Sequence, residues 1–182
     1  MSDKLFWSVR IPRTATREEL TALDLEIGGL PPSYRAFAEQ YGAGLANGLI
    51  LIFMPFPCAS GTFQSEGRGL TGILNDFVGD WIADGGTPGE QDCLEPYDKQ
   101  SIGAATRYKD LVFFARSENG ETFCWLRTDD RYTFYALDRA FLSLRYGGDD
   151  LMTMIGDMQT DKVKAILGTG YAPLLSSFVG SD

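Results

Sequence analysis

A chain of 182 residues with 44% apolar and 13% aromatic side chains has the material for one hydrophobic core and needs no disulfide or metal staples. It contains no histidine, which excludes Ser-His-Asp and Cys-His catalysis, histidine metal ligands and imidazole pH sensing together. With 16 basic residues against 25 acidic ones the net charge is −9, so nucleic acid is not an expected partner, whereas a basic protein is.

Met1 to Pro12 mixes charges with its apolar residues and has no apolar h-region, so neither a signal peptide nor an anchor is expected there. Thr16-Arg17-Glu18-Glu19 is a capping box, and Leu20, Leu23 and Ile27 recur at helical spacing until Gly28-Gly29, which predicts a first short helix. Leu30-Pro31-Pro32-Ser33 punctuates. Tyr34, Phe37, Ala38 and Tyr41 then share a face of a second helix, with Pro32 in its first turn and Gly42 as a left-handed cap. Leu49 to Met54 reads as a buried strand ended by Pro55 and Pro57, and even extended to Phe56 the run is far short of the ~20 residues that cross a bilayer. After a Gly/Ser-rich loop, Leu70 to Asp84 sets Leu70, Ile73, Leu74, Phe77, Val78, Trp81 and Ile82 on one helical stripe. Gly85 to Gly89 breaks that helix, and the stretch up to about Thr106 is turn-rich. Three or four strands follow, at Leu111 to Ala115, Thr122 to Arg127, Tyr132 to Leu137 and Ala140 to Tyr146. Their links, Glu118-Asn119-Gly120 and Asp129-Asp130, predict an antiparallel meander. The tail returns to helix through Leu151, Met154, Ile155 and Met158, then Val163, Ile166 and Leu167, up to Gly168. With no repeat and no dividing linker, the expected architecture is a single α+β domain: a mainly antiparallel sheet flanked by N-terminal and C-terminal helices, with an acidic helix-loop elaboration at about 56–106.

Charge is concentrated in that elaboration. Between Gly69 and Asp98 lie Asp76, Asp80, Asp84, Glu90, Asp92, Glu95 and Asp98, and no Lys or Arg. Asp76, Asp80 and Asp84 fall at i, i+4 and i+8, a ridge of like charges costing ~0.2 to 0.5 kcal/mol per pair, which stability alone would not select. Read functionally, the seven acids are a face that steers and docks a basic protein; read structurally, they are a solvated face of an acidic protein. A Ca²⁺ site lacks the D-x-[DN]-x-[DN]-G spacing.

Other chemistry is weaker. Gly67-Arg68-Gly69-Leu70-Thr71-Gly72 spells G-x-G-x-x-G at a helix start, but no strand immediately precedes it and no βαβ unit follows, so no dinucleotide is expected. Cys58, Cys93 and Cys124 form no C-x-x-C pair, which suits a reducing cytoplasm, and Cys124, beside Phe123 and Trp125, reads as a packed thiol. Asp129-Asp130 and Asp149-Asp150 read as turn residues. Trp7, Trp81 and Trp125 read as core aromatics rather than sugar platforms.

The segment Glu26-Ile27-Gly28-Gly29-Leu30-Pro31-Pro32-Ser33-Tyr34-Arg35, with Phe37 and the closing Tyr41-Gly42, resembles the N-terminal signature of the SUKH superfamily. Leu111 to Ala115, the Asn119-Gly120-Glu121 turn and Phe123-Cys124-Trp125 resemble the same family's apolar strand, glycine turn and aromatic strand. The superfamily includes fungal cell-wall-assembly regulators and bacterial immunity proteins that neutralise a toxin, often a nuclease. The resemblance implies an α+β domain without enzymatic activity, in which Leu30, Pro31, Tyr34, Tyr41, Gly42, Gly120 and Trp125 are structural. The family's toxin-binding surfaces vary with the toxin, so no contact residue transfers by motif.

The expectation is therefore a cytoplasmic, non-enzymatic domain, monomer or homodimer, that needs no cofactor or metal and binds a basic toxin domain through the acidic helix and the loop after it. One alternative is a regulatory scaffold in envelope assembly or signalling. Another, of a different class, is a carboxylate-based hydrolase, which would need two convergent acids in a concave pocket.

Overall fold

Helix α1 (Arg17–Ile27) starts where Thr16 accepts the Glu19 amide while the Glu19 carboxylate accepts the Thr16 amide, and it ends on Gly28 in left-handed backbone at φ 76°. The computed structural model describes residues 5–11, 13–58, 61–84, 95–96, 109–139 and 143–181. Helix α2 (Pro32–Gln40) opens on a proline, whose missing N–H would have had no intrahelical partner, and Gly42 follows it at φ 75°. The helix pair is braced by Asp24, whose carboxylate accepts the Leu30 amide at 2.5 Å and lies 3.3 Å from Arg35.

Among the described residues nine strands form one sheet: β1 (Ser8–Arg10), β2 (Gly44–Ala46), β3 (Ile50–Ile52), β4 (Glu95–Pro96), β5 (Val112–Ser117), β6 (Thr122–Thr128), β7 (Arg131–Leu137), β8 (Ser143–Gly148) and β9 (Ser177–Gly180). Their order is β1-β9-β2-β3-β5-β6-β7-β8-β4. Among the described residues only the end pairs, β1 with β9 and β4 with β8, are parallel, and β5 to β8 form the expected meander. The α+β, single-domain, mainly antiparallel architecture is thus as expected.

Two departures have local causes. The strand expected over 49–54 is one arm of a hairpin, because Asn47 and Gly48 both take left-handed backbone, at φ 56° and 66°, and turn β2 into β3. Helix α3 (Phe63–Ala83) starts at Phe63 rather than Leu70. Thr62 and Ser65 bond reciprocally, the Thr62 hydroxyl accepting the Ser65 amide at 3.0 Å and the Ser65 hydroxyl accepting the Thr62 amide at 3.1 Å. The G-x-G-x-x-G run therefore lies inside a helix, where it cannot wrap a pyrophosphate.

The centre of the sheet is buried on both faces. Along β6 the side chains alternate, with Phe123 and Trp125 in a core shared with α1, α2, α4 (Leu151–Asp157) and α5 (Val163–Ile166), and Cys124 and Leu126 in a second core with Leu74 of α3. Of the stripe expected on α3, Leu74 is buried, Leu70 and Phe77 are half-buried, and Ile73 is 53% exposed; the side chains of Val78, Trp81 and Ile82 lie outside the described residues. Trp125 is a core residue, but Trp7, expected to be one, is 91% exposed beside β1, where its amide bonds Ser176 at the sheet edge.

Glycine is used unevenly within α3. A Cβ on Gly67 would stand 2.7 Å from the Phe113 carbonyl oxygen, so helix and strand pack there only with glycine, whereas Gly69 and Gly72 have nothing within 4 Å. Gly69→Ala and Gly72→Ala are each expected to stabilise the protein by about 0.5–1 kcal/mol, read as higher urea midpoints, and Gly67→Ala to destabilise it. Among the described residues no helix is long and apolar enough to cross a membrane.

Candidate docking surface

The first half of α3 is pinned to its neighbours by its charges. Arg68 pairs with Glu26 of α1, Gln64 donates to the same carboxylate at 3.1 Å, and Glu66 lies 3.1 Å from Arg116 of β5. Beyond Arg68 the helix has no basic residue. Asp76, Asp80 and Asp84 all project into solvent at one-turn spacing, and no ion pair among the described residues involves them. Three carboxylates on one exposed ridge repel each other and cast a negative field that falls off over about 10 Å at 0.1 M salt.

The other four expected contact residues are placed less fully. Glu95 belongs to β4, the strand at the far edge of the sheet, with its side chain outside the described residues; Glu90, Asp92 and Asp98 lie outside them altogether.

The residues shared with the SUKH signature are all explained by packing. Leu30, Tyr34, Tyr41 and Trp125 are buried, and Pro31 ends the turn into α2. The Tyr34 hydroxyl donates to the Phe53 carbonyl at 2.6 Å, and burial pushes its pKa up, so it stays a neutral donor. Gly120, at φ 99°, closes the β5–β6 turn, where its amide donates to Ser117 O at 3.2 Å.

Buried polar chemistry elsewhere is structural in its connections. Burial raises the Cys124 thiol's pKa, which keeps it protonated and unreactive, and Cys58 donates its S–H to Gly61 O at 3.0 Å. Glu121, almost fully buried, accepts from the Ser117 hydroxyl on one carboxylate oxygen and from the Tyr171 hydroxyl, at 2.5 Å, on the other. Burial and this bond to Glu121 raise the pKa of Tyr171. Tyr171 lies 50 positions from Glu121 in the chain, so only the fold brings the two together. Among the described residues no group of three Cys, Asp or Glu side chains is placed to hold a metal ion.

Comparison of the chain with protein-family models, with curated proteins and with solved structures returned no match.

Proposed function

We propose that this chain is a SUKH-type, non-enzymatic binding domain of the cytoplasm that captures and neutralises a basic toxin domain, such as a nuclease, on the acidic face of α3. The observation that carries the reading is the ridge of Asp76, Asp80 and Asp84, exposed and without a paired cation among the described residues. Its like-charge cost is offset only when a cationic surface arrives, and exposed carboxylates act chiefly on the association rate. The helix pair around Leu30-Pro31-Pro32-Ser33-Tyr34 and the hairpin around Gly120 support the family part of the reading.

The test is capture of partners from the native cells on the tagged chain, eluted by rising salt. A basic toxin fragment recovered near one-to-one supports the reading; an envelope or signalling protein favours the scaffold alternative. With the partner in hand, the triple variant Asp76→Asn/Asp80→Asn/Asp84→Asn is expected to slow association about tenfold at low ionic strength. The difference should shrink as salt rises. Unchanged association with an unchanged salt slope would remove α3 from the interface.

A further inference from the structure

The acidic residues that dominate this chain are absent from one end of its sheet. No Asp or Glu occurs in 4–17, 40–65 or 162–181, the stretches that carry β1, β2, β3 and β9, and Arg10 is the one charged residue in those four strands. The same end holds most of the exposed apolar surface. Of the eight large apolar side chains that are exposed among the described residues, five belong to β1, β9 and the chain beside them: Trp7, Val9, Ile11, Leu175 and Val179. An apolar edge strand that carries a single charge and has no covering element among the described residues is a template for a further strand.

The backbone of β1 is set for such a strand. Successive residues of a strand point their N–H and C=O to opposite sides, and the Ser8 amide donates to the Ser176 carbonyl at 3.3 Å, with Ser8 in register with Ser177. Ser8 and Arg10 therefore bond β9, and Val9 between them directs both of its backbone groups to the open side. Antiparallel pairing of two β1 strands about a two-fold axis at Val9 lets the two valines exchange both hydrogen bonds. The same register sets the flanking Trp7 opposite Ile11 and Ser8 opposite Arg10 on each side of the axis, so apolar meets apolar and no like charges oppose. Two chains of net charge −9 repel, and this edge keeps their carboxylates out of the contact. A foreign strand would have to match the alternation, whereas the chain's own β1 matches it by symmetry.

We propose that the chain forms a two-fold homodimer by antiparallel β1–β1 pairing, which joins the two sheets edge to edge. The contact lies away from α3, which packs on β5, and is independent of the toxin reading. The test is sedimentation of the full chain over a concentration series, with amide hydrogen exchange read at its two ends. A monomer–dimer equilibrium with a dissociation constant of about 10–100 µM is expected from so short a strand pair. The Val9 amide should exchange faster than those of Ser8 and Arg10 at the lowest concentration, and about tenfold more slowly in the dimer than in the monomer. Val9→Pro removes the outward N–H and spares the bonds to β9, since proline suits an edge strand at a position whose N–H faces solvent. It is expected to fold and to weaken dimerisation about tenfold or more. Trp7→Glu, at a side chain 91% exposed, is expected to do the same by placing a carboxylate on each side of the axis. Leu25→Ser, at another exposed apolar residue on α1, should change nothing. A chain that stays monomeric up to about 1 mM, a dimer that either Val9→Pro or Trp7→Glu leaves at full strength, or a dimer without added protection at Val9 would overturn the proposal.

Discussion

Replacing Tyr34 by alanine is expected to cost about 3–5 kcal/mol, enough to unfold a marginal domain, while Tyr34→Phe costs about 1–2 kcal/mol. The side chain is fully buried and its ring meets three others, with centroids at 5.7 Å from Phe63, 6.2 Å from Phe114 and 5.3 Å from Trp125. Truncation therefore loses apolar burial, leaves a cavity bounded by rings from α3, β5 and β6, and strips the Phe53 carbonyl of its donor. Phenylalanine keeps the ring and loses only the hydroxyl. Urea unfolding of the two variants separates the terms, because both should shift the midpoint while the slope stays constant. Equal losses would mean that the hydrogen bond, not the ring cluster, fixes α2 on the sheet.

That result bears on how the SUKH resemblance is used. Tyr34, Tyr41, Gly42, Gly120 and Trp125 each have a sufficient reason in packing or backbone geometry. Residues chosen by the core report the fold and say nothing about what the surface touches. The exposed Asp76-Asp80-Asp84 ridge lies away from the motif, and the partner surface proposed above is placed there for that reason.

What the sequence reveals here depends on range. Capping boxes, proline at a helix start and a charged ridge at one-turn spacing are local, and α1, α2 and the exposure of the ridge follow from them. The β2–β3 hairpin is also local, signalled by Asn47-Gly48, but the long apolar run after it masks the two-residue turn in the hydrophobic pattern. Strands β1 and β9 are different: three and four residues long, they exist because the chain ends meet, with Val9 in register with Phe178. Trp7 stays exposed for the same reason, since β1 lies at the sheet edge with no element covering it among the described residues. That Asp130, Asp149 and Asp150 border one surface depression is likewise a property of the β7–β8 pairing and of α2, and sequence spacing does not carry it.

Gly42 and Gly28 offer a controlled comparison for the second large effect. Both hold the left-handed backbone of a helix end, at φ 75° and 76°, so alanine carries the same conformational penalty at each, about 1–2 kcal/mol. Their surroundings differ entirely. A Cβ on Gly28 would meet nothing within 4 Å, whereas one on Gly42 would stand 1.8 Å from the Arg13 carbonyl oxygen and 2.9 Å from the Thr14 Cα. Those atoms are backbone, in the segment leading into α1, and cannot rotate away as a side chain could. Ala15 is further tied to α2 by its amide bond to the Ala38 carbonyl at 3.0 Å. Gly42→Ala must therefore displace the approach to α1 and is expected to cost about 3–5 kcal/mol in total, adding overpacking to the strain shared with Gly28→Ala. The difference between the two variants measures the close approach alone. If both lose the same amount in thermal or urea unfolding, the left-handed backbone is the whole reason for glycine at the end of α2, and the close approach to Arg13 contributes nothing.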